Sequence, residues 1–208
     1  MNYFGHAAVA SWRSAEPAIA LGAMLPDFAT MCRAKLPTSP DARITAGIAL
    51  HHQTDAAFHH LPVVTALMRE LDERLERGGC ARGPRRAVAH VGMELLLDGT
   101  LVTEPAYRAS YLAAIADDSP ITWSDVHGHG EAARFAVVLA RLRAYGVPDD
   151  LRDPEAITQR LARILAGRPL IEPSIDDLRA IRTALTDHAP RLAVAADTVM
   201  RGMRAAID

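Results

Sequence analysis

Half of the 208 residues are apolar and only 5% are aromatic, with Ala, Leu and Arg commonest, a composition that favours packed helices over a sheet rich in Val, Thr and Tyr. A formal net charge of -2 excludes a global field for gripping nucleic acid or an anionic membrane, so any electrostatic choice of partner is local. Two isolated cysteines, Cys32 and Cys80, exclude a disulfide framework and a zinc knuckle, and no apolar run approaches the roughly 18 residues of a membrane span.

These limits predict an all-α protein folded as one domain over residues 1–208, soluble, unprocessed and cytoplasmic. Proline and capping residues divide it into about nine helical segments. The first covers residues 3–13. A second apolar stretch runs through Ile19 and Leu21 to a break at Leu25-Pro26-Asp27, which leaves Asp27 at a helix start, where unpaired N–H groups favour a carboxylate. After a loop at Leu36 to Ser39, the Ser39-Pro40 pair reads as N-cap and first residue of a helix reaching His60. On that helix His51 and Asp55 continue the ridge begun by Ile44 and Ile48, so a histidine and a carboxylate point where apolar residues point. Pro62 opens the next helix, with Val63, Leu67, Leu71 and Leu75 on one face and an end at Gly78-Gly79.

Pro84 starts the central helix. From Ala87 to Gly99 its only polar side chains are His90, Glu94 and Asp98, each four residues from the next and therefore on one stripe. Val88, Val91, Met93, Leu95, Leu96 and Leu97 cover the other faces and predict burial nearly all round, where an unpaired acid costs on the order of several kcal/mol. Further amphipathic helices over 105–116, 130–145, 154–166, 175–188 and 190–207 read as scaffold.

Six of the nine histidines, His6, His51, His52, His59, His60 and His90, fall in the first 90 residues, alongside Asp27, Asp55, Glu94 and Asp98. Imidazole with carboxylate suits Mn, Fe or Zn, whereas Mg and Ca sites lean on oxygen alone. A buried set with several carboxylates normally holds two ions. Each residue also has a structural reading: a hydrogen-bonded core histidine for His90, pairing with Arg108 or Arg134 for Glu94 and Asp98, and a ring-orienting hydrogen bond for His51 and Asp55. His52, His59 and His60 read as surface or supporting residues, with His59 two turns from His52 and able to line the site. His127 and His129, beside glycines in Trp123-Ser124-Asp125-Val126-His127-Gly128-His129-Gly130-Glu131, suggest a loop that supplies a lid or a proton donor. Cys32 reads as packing. Arg82, Arg85 and Arg86, with Arg33 and Lys35, form a basic rim.

Three motifs stand in order: Met1-Asn2-Tyr3-Phe4-Gly5-His6, Gly22-Ala23-Met24-Leu25-Pro26-Asp27-Phe28, and Gly47-Ile48-Ala49-Leu50-His51-His52-Gln53-Thr54-Asp55 followed by Leu61-Pro62. In this the chain resembles the acyl carrier protein phosphodiesterase family, helical metal-dependent hydrolases distantly related to the HD-domain phosphohydrolases. The motifs lie within residues 1–102; beyond them the likeness is helical character and the stretch Leu165-Ala166-Gly167-Arg168. The resemblance implies that His6, Asp27, His51 and Asp55 are metal-binding and catalytic. The chain departs from the family pattern at His59, where an Asp is usual shortly before the proline. It departs again at His90, Glu94 and Leu95, in place of two aspartates four apart followed by a histidine. Ligand character is thereby shifted toward imidazole.

Residues and resemblance together point to a phosphodiesterase with two transition-metal ions held by His6, Asp27, His51, Asp55, His90 and Glu94. In that reading Asp55 bridges the ions, Asp98 orients a histidine, an activated water attacks phosphorus, and His127 or His129 protonates the leaving group. The substrate is a phosphodiester, in the family an acidic carrier protein for which Arg82, Arg85 and Arg86 are the docking rim. Competing readings are a zinc-dependent phospholipase C or nuclease-like phosphoesterase, an HD-like di-iron oxygenase, and a non-enzymatic helical interaction protein with an internally paired polar core.

Overall fold

The computed structural model describes residues 1–124 and 130–207, and among them the regular structure is helical. In chain order the helices are α1 (Tyr3–Arg13), α2 (Pro17–Met31), α3 (Ala42–His60), α4 (Pro62–Arg77) and α5 (Arg82–Leu101). They continue with α6 (Pro105–Ala116), α7 (Glu131–Tyr145), a 3₁₀ turn at Asp149–Arg152, α8 (Pro154–Leu165) and α9 (Ile175–Ile207). An isolated bridge pairs Thr38 with Thr122. No helix among the described residues is long and apolar enough to cross a membrane. The chain divides into two compact units, each made of two stretches: Met1–Ala56 with Leu101–Pro148, and Ala57–Thr100 with Asp149–Asp208.

In the first unit, α1 is buried on every side from Tyr3 to Ala10, because small residues at Gly5, Ala7, Ala8 and Ala10 let it sit close against α2 and α6. Tyr3 and Phe4 pack on Tyr111 of α6, and Tyr3 also meets Phe28 of α2. The helix α2 does not break at Pro26 as the sequence suggests, and Asp27 lies near its C-terminal end rather than at a helix start. Proline costs a helix roughly 3 kcal/mol through its missing N–H and its clash with the preceding turn. Burial of Leu21, Met24, Leu25 and Phe28 on both sides of Pro26 outweighs that cost.

The crossing of α2 and α3 is set by two glycines. A Cβ on Gly47 would lie 2.2 Å from the Ile19 carbonyl oxygen, and one on Gly22 would lie 2.3 Å from that of Ile44. Backbone therefore meets backbone, and only glycine fits on either side. The start of α3 also differs from expectation: its cap is Asp41, whose Oδ1 accepts the Arg43 N–H at 2.8 Å, while Ser39 Oγ accepts the N–H of Asp41. The buried ridge of α3 runs through Ile44, Gly47, His51, Thr54 and Phe58, and Ile48 and Asp55 lie to one side of it, half-exposed.

In the second unit, α4 buries Val64, Leu67, Leu71 and Leu75, so Val64 replaces the expected Val63, and packs on α9. The central helix α5 is buried from Gly92 through Gly99, but His90 is exposed, so burial all round holds for its C-terminal half alone. At that end a Cβ on Gly99 would lie 2.0 Å from the carbonyl oxygen of Leu151 in the 3₁₀ turn. Ser174 and Asp177 cap α9 reciprocally, and Asp177 Oδ1 also accepts the Ala81 N–H at 2.7 Å, tying the entry of α5 to the start of α9. The expected division at Pro190 is absent. Pro190 lies on the exposed face of a continuous α9, with Thr186 four residues before it exposed as well, so the carbonyl it displaces can turn toward water. On the buried face His188 is enclosed with neither ring nitrogen hydrogen-bonded among the described residues.

Candidate functional site

The first unit brings together His6 of α1, Asp27 of α2 and His51 of α3, with one ligand atom from each within 4.8 Å of the others. The two imidazoles stack with centroids 3.9 Å apart. Their tautomers follow from their partners. A carbonyl only accepts, so at 2.8 Å from Ala23 O the Nδ1 of His51 must carry the proton. Thr54 Oγ1 donates to the His51 carbonyl at 2.9 Å, which leaves it to accept from His6 Nδ1 at 3.0 Å. Both histidines are thereby held with protonated Nδ1 and with the Nε2 lone pair uncommitted to these bonds. The Nε2 of His6 is buried with no hydrogen-bond partner among the described residues, and lies 3.9 Å from Asp55 Oδ1. Burial pushes both imidazoles below the ordinary histidine range, His6 well below it, so both are neutral near pH 7.

This is what a metal ligand requires. A neutral imidazole whose Nδ1–H is anchored to a carbonyl or hydroxyl presents Nε2 in one orientation, and a buried nitrogen lacking a donor has a lone pair that could bind a cation. Asp27 stands near the C-terminal end of its helix, where the macrodipole disfavours a carboxylate, so the helix offers it none of the stabilisation expected from a helix start. The trio therefore fits a divalent ion. Asp55, expected to bridge two ions, is 41% exposed at its side chain, and its Oδ1 accepts from the Met1 amino group at 3.0 Å. It flanks the trio beside His6.

The second unit brings together His59, at the end of α3, with His90 and Glu94 of α5, again with ligand atoms within 4.8 Å of one another. Two imidazole nitrogens approach one carboxylate oxygen: His90 Nε2 is 3.0 Å and His59 Nε2 3.5 Å from Glu94 Oε1. The rings meet edge to face at 4.7 Å. Burial pushes the Glu94 carboxyl up, but the His90 hydrogen bond and positive charge around it hold it below the ordinary range. Five of the six expected metal ligands thus fall into two groups of different make-up, with Asp55 flanking the first. His59, read from sequence as a supporting or lining residue, belongs to the second, and its place two turns after His52 was the available signal.

Thr54 is the residue sequence reasoning missed. Its position three after His51 on the buried ridge was the clue. Asp98 is fully buried but belongs to neither trio. His52 is exposed with its ring against His51, and His60 is exposed. Cys32 is buried, as packing requires. Arg82 and Arg86 are exposed, but Arg85 is committed to Asp72 at 3.1 Å and to Glu76, which removes it from the expected rim. Arg134 donates to the Cys32 carbonyl, and Arg108 to that of Val102. His127 and His129 lie outside the described residues.

A family model described as acyl carrier protein phosphodiesterase matches residues 1–192. The chain belongs to the acyl carrier protein phosphodiesterase family. The match carries the family likeness well past the motifs of the first 102 residues and through most of α9. No curated protein and no solved structure shows significant similarity to the chain. The family's name is that of a phosphodiesterase acting on acyl carrier protein, and in this member His6, Asp27 and His51, from its three motifs, are the residues that converge.

Proposed function

We propose that the chain is a metal-dependent phosphodiesterase that releases 4′-phosphopantetheine from holo acyl carrier protein, with His6, Asp27 and His51 as the core of its catalytic centre. The observation that carries this reading is the shared tautomer lock on His6 and His51, which commits each Nδ1–H and leaves each Nε2 lone pair uncommitted to that bond. A divalent transition metal there would supply Lewis acidity, offsetting phosphate charge and bringing the pKa of water toward neutrality.

The chain's own residues supply position. Thr54 and the Ala23 carbonyl fix the two rings without any movement at the moment of reaction, which is the preorganisation that makes an electrostatic site effective. Asp55, half-exposed beside His6, is placed to accept a proton from water entering from solvent. Burial of His6 and His51 excludes bulk water from the inner side. Exposed Arg82 and Arg86 are the candidates for meeting an acidic carrier, without Arg85.

The test is release of 4′-phosphopantetheine from holo carrier protein by protein stripped with chelator and then reloaded with Mn, Fe or Zn. Loss on stripping and recovery on reloading is expected. Undiminished release by metal-free protein, or no release at full metal occupancy, overturns the proposal.

A further inference from the structure

We infer that His59, His90 and Glu94 form a second, separately loading site for a divalent ion of the zinc type, with an outward coordination position open to an exogenous ligand. The inference goes beyond the proposed hydrolysis and does not rest on it.

The spacing of the donor atoms argues for it. An ion bound tetrahedrally through bonds of about 2.0–2.1 Å holds its ligand atoms about 3.3–3.4 Å apart. The two nitrogens stand 3.0 and 3.5 Å from Glu94 Oε1, bracketing that edge, so small side-chain adjustments would admit an ion. An ordinary helical ion pair explains His90 four residues before Glu94. It does not explain a second imidazole delivered to the same oxygen from the end of α3. Two rings 4.7 Å apart that both address one carboxylate oxygen are a chelating arrangement.

The chemistry of the set names the class of ion. Two nitrogens and one carboxylate oxygen match zinc or cobalt, whereas magnesium and calcium require a shell of oxygens. Exposure grades outward across the set, from 10% at the Glu94 side chain through 28% at His59 to 54% at His90. Three protein ligands with one side toward solvent leave a fourth position for water or an anion, as in zinc sites that do chemistry rather than closed structural ones.

The experiment uses the full chain, stripped of metal and titrated with Zn²⁺ by calorimetry and with Co²⁺ by the visible absorption of tetrahedral cobalt. His90→Ala, at an exposed position, and His59→Ala are each expected to remove one equivalent of bound Zn²⁺, or weaken it at least about tenfold, and to abolish the cobalt band assigned to it. His51→Ala is expected to leave that equivalent and band in place, and millimolar Mg²⁺ to leave them undisplaced. Unchanged zinc stoichiometry and cobalt spectrum in both His90→Ala and His59→Ala overturn the inference, as does loss of the band in His51→Ala. Failure of carrier hydrolysis with this equivalent still bound would sink the proposed function alone.

Discussion

The two histidine-carboxylate trios are built from similar side chains but are held in different ways. In the first unit each imidazole is anchored through Nδ1 to a group outside the trio, the Thr54 hydroxyl or the Ala23 carbonyl. In the second the imidazoles turn their nitrogens to the carboxylate within the trio, and one ring is half in solvent. The first arrangement is shaped by the surrounding fold and is legible only through it. In the second, the two rings also meet each other edge to face.

Removing a ligand from the fold-shaped centre has the largest expected effect. His51→Ala should weaken metal binding and carrier hydrolysis by more than the roughly 10–100-fold that loss of a supporting group costs, read by metal titration and turnover. Next is Gly47→Ala, whose added Cβ meets backbone at Ile19 and Gly22; a loss of about 3 kcal/mol is expected in denaturant unfolding. The same variant should spare zinc binding at His59, His90 and Glu94, and equal damage to both trios would break the contrast. Thr54→Val comes third. It keeps the side-chain shape but removes the acceptor for His6 Nδ1–H, and should cost about 10–100-fold in metal affinity with little change in folding.

A fourth prediction uses the buried histidine that belongs to no trio. His188, enclosed on α9 and faced by Arg74 and Glu70 of α4 and by Arg191 of α9, has its imidazole held below the ordinary histidine range by burial first and Arg74 second. The unfolded chain therefore takes up a proton below about pH 6.5 that the folded chain refuses, so stability falls as pH falls through that value. Unfolding free energy should decline with a slope of up to about 1.4 kcal/mol per pH unit from this group, and His188→Met should flatten it. An equal acid slope in that variant would assign the loss elsewhere. The smallest effect is at Arg33, which follows α2 with φ of +50°, a conformation that costs a side-chain-bearing residue roughly 1 kcal/mol; Arg33→Gly should raise stability by about that amount.

Periodicity and proline signals locate most helices, with α6 matching its expected bounds at Pro105–Ala116 and α8 differing by one residue. They fail at Pro26, where the local rule against continuing a helix yields to apolar packing on both sides of the ring, and at Pro190, where the ring lies on the exposed face and the displaced carbonyl can turn to water. They also misjudge Asp55, one position past the ridge that buries His51 and Thr54, because a step of four from His51 drifts off a face that a step of three follows. The ridge on α3 pointed to His51, and the order of motifs joined it with His6, Asp27 and Asp55. The spacing of four within α5 pairs His90 with Glu94, but that Asp27 joins His6 and His51, and that His59 joins Glu94, depends on how separate helices pack. The roles of Gly22 and Gly47 are a case in point: both sit inside the recognised motifs, yet their reason is a close approach of two backbones.

The anchor of His51 is a main-chain carbonyl, and this gives the first trio an unusual kind of heritability. No point substitution at Ala23 can delete an oxygen that every amino acid carries. The ring's orientation is therefore lost when α2 and α3 shift against each other, so at position 23 itself the side chain can drift while the imidazole keeps its aim, whereas Gly22 and Gly47 cannot.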